Sequence, residues 1–276
     1  MQGQLGFDSM PAKLVRVTPA RLASWQDCQR RYRMTYLDSP SPSRGGAWAH
    51  STLGAVVHNA LRALFDLAPG RRTPEAAVSL VDRHWRSDGF ADAEQAARYR
   101  DRAKGWVGGY VERLDPETEP LGVERWVAAP LGRIIAEGRV DRIDERNGEL
   151  VIVDYKTGRH ALTTDDVRSS QALALYALAA RRTLRRPCTR VELHHLPTGE
   201  VAAAEHGEAS LARHLDRAES IADDLTLATD TLKAGGDADV LFPPTVGRHC
   251  SWCDFRRHCP EGQAAAPELE PWAMLG

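Results

Sequence analysis

The stretch GRVDRIDERNGELVIVDYKTG, residues 138–158, constrains the fold more than any other part of this 276-residue chain. Leu150-Val151-Ile152-Val153 is an unbroken apolar run, short and rich in β-branched residues, and such a run is predicted to be a strand buried on both faces. Asn147-Gly148, just before it, is a strong signal for a tight hairpin, in which both turn residues need positive φ. Residues 133–143 are therefore predicted to pair with 150–155, and a third strand over 123–129 completes a meander.

The rest of the chain supplies helices. Thr18-Pro19 and Thr73-Pro74 each place a capping threonine before a proline suited to the first helical position. They predict helices from 19 to about 36, with Cys28 on the first, and from 74 to about 85. Leu53, Val56, Val57, Ala60, Leu61, Leu64 and Phe65 recur at helical spacing, and residues 91–114, 172–182 and 209–232 read the same way. Residues 191–196 and 200–204 form a strand pair around Pro197-Thr198-Gly199, and the tail after Phe242 reads as irregular. The expected fold class is α/β, a central mixed sheet flanked by helices. One core is expected, with a mainly helical region over 1–115, an α/β core over 116–240 and a cysteine-rich tail over 241–276.

No apolar run is long enough to cross a bilayer, and the opening MQGQLGFDSMPAKLV lacks the pattern of a secretory signal, so a cytoplasmic protein is expected. A net charge of −2 does not mark a nucleic-acid binder, but it averages over clusters such as Arg30, Arg31 and Arg33, and Arg181, Arg182, Arg185, Arg186 and Arg190. Judged alone, each cluster reads equally well as a solvated face or a phosphate-binding surface. Lysine is scarce (Lys13, Lys104, Lys156 and Lys233), so a lysine inside a motif carries information.

Asp141 ends one strand of the predicted hairpin, and Asp154-Tyr155-Lys156 ends the next. Two carboxylates from adjacent strands can then meet, and hard divalent cations such as Mg²⁺ prefer carboxylate oxygen. Lys156 lies two residues beyond Asp154, so both side chains leave the strand on the same face, with an ammonium beside the metal position. Each residue alone reads as an exposed strand-end charge or a turn cap, but jointly they suit metal-assisted phosphodiester hydrolysis. Glu124, one strand earlier, reads as an exposed strand carboxylate or an accessory acid.

Cys250, Cys253 and Cys259 lie within CSWCDFRRHC, and Cys28 is available as a fourth thiolate. In a reducing compartment such spacing favours a metal over a structural disulfide. Zinc and an iron–sulfur cluster both fit, and His249 and His258 keep the zinc alternative open. Cys188 is left without a role.

Gly138 to Asp144 followed by Asp154-Tyr155-Lys156-Thr157-Gly158 resembles the nuclease motifs of the RecB-like branch of the PD-(D/E)XK superfamily, which includes the AddB nuclease domain and CRISPR-associated adaptation exonucleases. The resemblance extends over most of the chain. It implies a restriction-endonuclease-like core in a single nuclease domain, with His58 of the pattern Gly54-x-x-x-His58 and the main-chain carbonyl of Tyr155 joining Asp141 and Asp154 around Mg²⁺ or Mn²⁺. It further implies that Cys28, Cys250, Cys253 and Cys259 bind a [4Fe–4S] cluster tying the two ends together. The motif Trp25-x-x-Cys28-x-Arg30-Arg31-Tyr32 forms the upstream half, with Arg30 and Arg31 as candidate substrate contacts.

A Gln and a Tyr one helical turn apart follow the lysine in that branch, approximated here by Gln171 and Tyr176. Five residues turn these about 140° apart on a helix, so they share a face only imperfectly. The activity implied is exonucleolytic hydrolysis of DNA, most naturally at single-stranded ends, in repair or recombination. No Gly-x-x-x-x-Gly-Lys-Ser/Thr phosphate loop occurs, so a helicase motor would have to be a partner. The rival reading is a catalytically inactive DNA-binding or assembly subunit of a helicase–nuclease complex.

Overall fold

Asn147 and Gly148 take φ of 54° and 83°, the left-handed pair that a two-residue hairpin turn requires. They join β3 (Ile134–Arg146) to β4 (Glu149–Lys156), antiparallel from Arg146↔Glu149 to Arg142↔Val153. The computed structural model in which this is seen describes residues 14–115, 117–160 and 162–275. The reading of the opening segment up to Lys13 and the boundary placed at Pro116 lie outside the described residues.

Four more strands complete a six-stranded mixed sheet. β1 (Val15–Val17) runs parallel to β3, and β2 (Gly122–Leu131) runs antiparallel along it. β5 (Cys188–His195) is parallel to β4, and β6 (Glu200–Glu205) is antiparallel to β5. The order is β1-β3-β4-β5-β6, with β2 also on β3.

The helices cover both faces, as the double burial of Leu150 to Val153 demands. α3 (Ala49–Phe65), α4 (Pro74–His84) and α5 (Ala93–Glu112) pack Leu53, Val57, Leu61, Val81 and Val107 against Val151, Val153 and Tyr155. On the other face α7 (Gln171–Leu184) and α8 (Glu208–Lys233) pack Leu173, Ala177, Leu211 and Leu225 against Ile134, Ile143, Ile152 and Val191. No helix among the described residues is long and apolar enough to cross a membrane.

The segment expected to be one helix is two, α1 (Pro19–Asp27) and α2 (Gln29–Tyr36), because Cys28 is extended (φ −167°, ψ 115°). Cys28 therefore sits at the break. The sequence pattern also passed over β1, which is too short to show a period. It missed α6 (Thr164–Ser169), a short helix opened by a capping box between Thr163 and Asp166. In the tail, 3₁₀ turns over Arg248–Trp252 and Arg256–His258 and two short helices, α9 (Ala238–Leu241) and α10 (Pro260–Ala265), replace the irregular chain.

One polar cluster lies between the end of α5 and the sheet, with Glu192 and His194 buried and Arg146 and Arg190 reaching them from the surface. The Glu192 carboxylate accepts hydrogen bonds from His194 Nε2 (2.8 Å), Arg146 Nη1 (2.7 Å) and Arg190 Nε (2.7 Å). Burial alone would raise the Glu192 carboxyl, but these donors outweigh it and hold it well below its ordinary value of 4.5. An ionised Glu192 thus stabilises the fold above pH 4.5, and the contribution disappears as pH falls toward the folded-state value. Glu192→Gln is expected to cost roughly 2 kcal/mol at neutral pH, on the scale of charge-assisted hydrogen bonds. The gap in melting temperature between the two proteins should narrow steadily below pH 4.5; a constant gap would contradict the assignment.

Candidate active site

The sheet delivers one group of acids to one place. The β3–β4 register, continued one step past Arg142↔Val153, sets Asp141 across from Asp154. The Tyr155 N–H donates to Asp141 Oδ2 (2.9 Å), which fixes the Asp141 side chain against the next strand. Lys156 Nζ forms a close ion pair with Asp154 Oδ2. Behind this strand end, His195 Nε2 donates to the Gly158 carbonyl (2.7 Å) and anchors the turn that follows the lysine.

His58 arrives from α3. Its Nε2 donates to the Tyr155 main-chain carbonyl (3.2 Å), and its Nδ1 lies 3.4 Å from Asp141 Oδ1 and 3.7 Å from Glu124 Oε1. Gly54, one turn earlier, lets α3 come close: a Cβ there would lie 3.4 Å from Thr157 Oγ1. Burial pulls the imidazole's pKa down, but hydrogen bonding to Asp141 and Glu124 and the charges of Asp141 and Asp154 more than offset it, to about 10. Burial pushes the Asp154 carboxyl above its ordinary range and Asp141 adds to this, against the pull of Lys156. The cluster therefore demands positive charge, which a proton on His58, the Lys156 ammonium or a divalent cation can supply.

Glu124 belongs to the cluster. Its side chain is only 10% exposed, and Arg139 Nε holds its other oxygen at 2.7 Å. Its backbone has φ of 49°, a conformation that is uncommon outside glycine and tends to mark functional sites. The strand pattern gave no sign of this, since period-two alternation assumes regular backbone. Ligand atoms of His58, Glu124 and Asp141 all lie within 4.8 Å of one another, the one such group among the described residues. Carboxylate oxygens favour a hard divalent cation, and the imidazole nitrogen adds a ligand that transition-metal ions accept more readily.

Tyr176, on α7, lies over Gly138, where a Cβ would come within 2.7 Å of its ring. Burial and the charges of Asp154 and Asp141 push its phenol up to about 12, so it stands within the field of the cluster. Gln171 is the first residue of α7, and its Nε2 is buried without a hydrogen-bond partner among the described residues.

The cysteines assemble at a second place. Cys28, Cys250, Cys253 and Cys259 line one pocket together with Arg30, Arg31, Arg256 and Gly262. Cys259 caps α10, where its Sγ accepts the Gly262 N–H (3.4 Å). A Cβ at Gly262 would fall 3.3 Å from Cys259 Sγ and 3.5 Å from Cys250 Sγ. Arg30 is turned into this pocket: its Nη1 reaches Glu261 at 2.6 Å and Cys259 Sγ at 3.9 Å. Arg31 pairs with Asp27 at 2.7 Å. Cys188 is buried in β5, and burial pushes its thiol up to about 12.

These features have relatives. The profile of the PD-(D/E)XK nuclease superfamily matches residues 16–260. The chain belongs to that superfamily, whose nucleases use divalent metal ions. Among solved structures, a "Putative exonuclease" from Eubacterium rectale is 12% identical over 94% of this chain and 93% of its own, with a TM-score of 0.51, a likeness of fold. The structure of SSO0001 aligns over 89% of this chain and 85% of its own at 13% identity and a TM-score of 0.39. No curated protein matches the chain.

Proposed function

We propose that the protein is a metal-dependent deoxyribonuclease of the RecB-like branch, acting on DNA ends as an exonuclease, with a [4Fe–4S] cluster that staples its N-terminal and C-terminal segments. The observation that carries the nuclease reading is the convergence of Asp141, Glu124 and His58 on one point, with Asp154 across from Asp141 on the next strand and Lys156 against Asp154.

Asp141, Asp154, Glu124, His58 and the Tyr155 carbonyl would hold Mg²⁺ or Mn²⁺. Such a cation neutralises phosphate charge and lowers the pKa of a water molecule. Lys156 Nζ orients the attacking water and stabilises the charge that develops on the phosphate, from a position Asp154 fixes. The Tyr155 backbone serves twice, its N–H orienting Asp141 and its carbonyl facing His58. Tyr176 stands beside the acids as a substrate contact.

The cluster reading rests on four thiols sharing one pocket. Zinc holds sulfur at about 2.3 Å, which brings tetrahedral thiolates to within about 4 Å of one another. A pocket lined by all four thiols suits either one zinc ion or a larger cluster, and the resemblance to the RecB-like branch favours the cluster. The staple would close a loop of 250 − 28 = 222 residues and is structural. Arg30 also reaches Cys259 and Glu261 at the cluster pocket, Arg30 and Arg31 stay candidate substrate contacts, and the chain acts as one nuclease unit in the cytoplasm, in repair or recombination, alone or with a helicase partner.

Protein purified without oxygen should be brown and contain iron. Cys28→Ser should lose the visible absorption and melt at a lower temperature; a colourless, zinc-loaded wild type would overturn the cluster. With Mg²⁺ or Mn²⁺ the protein should degrade linear single-stranded DNA and leave a single-stranded circle intact. Cleavage of the circle would replace exonuclease by endonuclease, and intact DNA of both forms would favour a DNA-binding subunit.

A further inference from the structure

Beyond the acid cluster, the face of the β2–β3 pair turned away from α7 and α8 carries an exposed aromatic next to a cation. Val127, Ala129 and Leu131 of β2 point into the core under α7, so Trp126, Ala128 and Pro130 point outward and are exposed. Trp126 is 56% exposed, on an edge strand that could have turned it inward with a shift of one residue. A single exposed apolar side chain needs no explanation. Its neighbours give this one meaning.

Trp126 is paired across the strands with Arg139, and paired residues project from the same face with their Cβ atoms close together. The Arg139 side chain is 63% exposed, and its Nε is held 2.7 Å from Glu124 Oε2. Among the described residues the rest of its guanidinium has no other ion pair, so those N–H groups remain for an anion. Glu124 in turn is 3.7 Å from His58. One continuous path thus leads from the acids through an arginine to a flat aromatic surface. An unpaired nucleotide requires that combination, a cation for its phosphate and a ring for its base.

Resting on the nuclease reading, we propose that Trp126 is a stacking platform for an unpaired base of the strand being cut, with Arg139 taking the adjoining phosphate, and that this pair makes single-stranded DNA the preferred substrate. Within a duplex each base face is covered by its neighbours in the stack, so away from the ends only an unpaired strand offers Trp126 a base to cover. Trp126 is then a positioning residue, acting by holding the strand in register with the acids.

The test is binding of a short fluorescent single-stranded oligonucleotide and of the corresponding blunt duplex, measured by anisotropy with Ca²⁺ in place of Mg²⁺. Wild type, Trp126→Ala and Trp126→Phe are compared. Trp126→Ala should weaken single-strand binding by about tenfold, leave duplex binding and the melting temperature unchanged, and lose the preference for single strands. Trp126→Phe should recover most of the affinity, since a smaller ring still stacks. Equal single-strand affinity in wild type and Trp126→Ala, or a parallel loss on both DNAs, would overturn the stacking role while leaving the nuclease reading in place. A wild type that neither binds nor degrades DNA would overturn that reading, and this inference with it.

Discussion

Lys156→Ala is expected to slow phosphodiester hydrolysis by at least about a hundredfold, the scale seen when one preorganised charge-stabilising donor is removed from an active site. The argument is geometric. Lys156 stands at the end of β4, two residues past Asp154 and on the same face, and its ammonium lies against the Asp154 carboxylate. At 45% exposure it contributes little to the core, so the variant should fold normally. Single-turnover degradation of an end-labelled strand, with circular dichroism as the folding control, measures the effect. A folded variant with an unchanged rate would remove Lys156 from the chemistry. Lys156→Arg should not restore the rate, because a planar guanidinium cannot reproduce the position of a compact ammonium.

The second large effect concerns stability. Arg142 is 2% exposed. Its guanidinium donates to Tyr110 Oη (2.8 Å), Tyr155 Oη (3.2 Å) and Asp144 Oδ2 (2.9 Å), tying α5, β3 and β4 together. Arg142→Ala leaves Asp144 nearly enclosed with only Arg146 as a charged partner at 2.9 Å. Breaking one side of a buried pair costs about 3–5 kcal/mol, a loss of roughly 10 °C in melting temperature for a chain of this size. The double replacement Arg142→Met with Asp144→Leu should recover much of it, since removing both charges avoids the uncompensated one. A single-variant loss below about 1 kcal/mol would contradict the buried network. Activity should fall with stability, because Tyr155 carries both the ring held by Arg142 and the carbonyl facing His58.

The two effects show where sequence reading succeeds and where it stops. Leu150 to Val153 and Asn147-Gly148 announced a buried strand and its hairpin, since strand burial and left-handed turns are local properties that a few residues decide. Asp141 and Asp154 followed from the same register. Glu124 admitted two readings in the sequence, an exposed strand carboxylate or an accessory acid, and alternation could not choose between them; the β2–β3 register, in which Val123↔Arg142 and Arg125↔Val140 bracket Glu124 opposite Asp141, decides it. Arg142 and Asp144 form a buried pair that no local pattern marks, because the partner that encloses them, Tyr110 from α5, is distant in sequence. Cys28 looked like a helical residue because its neighbours on both sides are helical, and the break between them has no glycine or proline to mark it.

On the proposed reading the acid cluster and its lysine hydrolyse DNA with a divalent cation. The most direct measurement is release of nucleotides from end-labelled single-stranded DNA by protein purified without oxygen, in Mg²⁺, in Mn²⁺ and in EDTA. Release with either metal, abolished by EDTA and by Asp141→Asn, is the expected result. DNA that survives intact with every metal, in the presence of brown and folded protein, would contradict it.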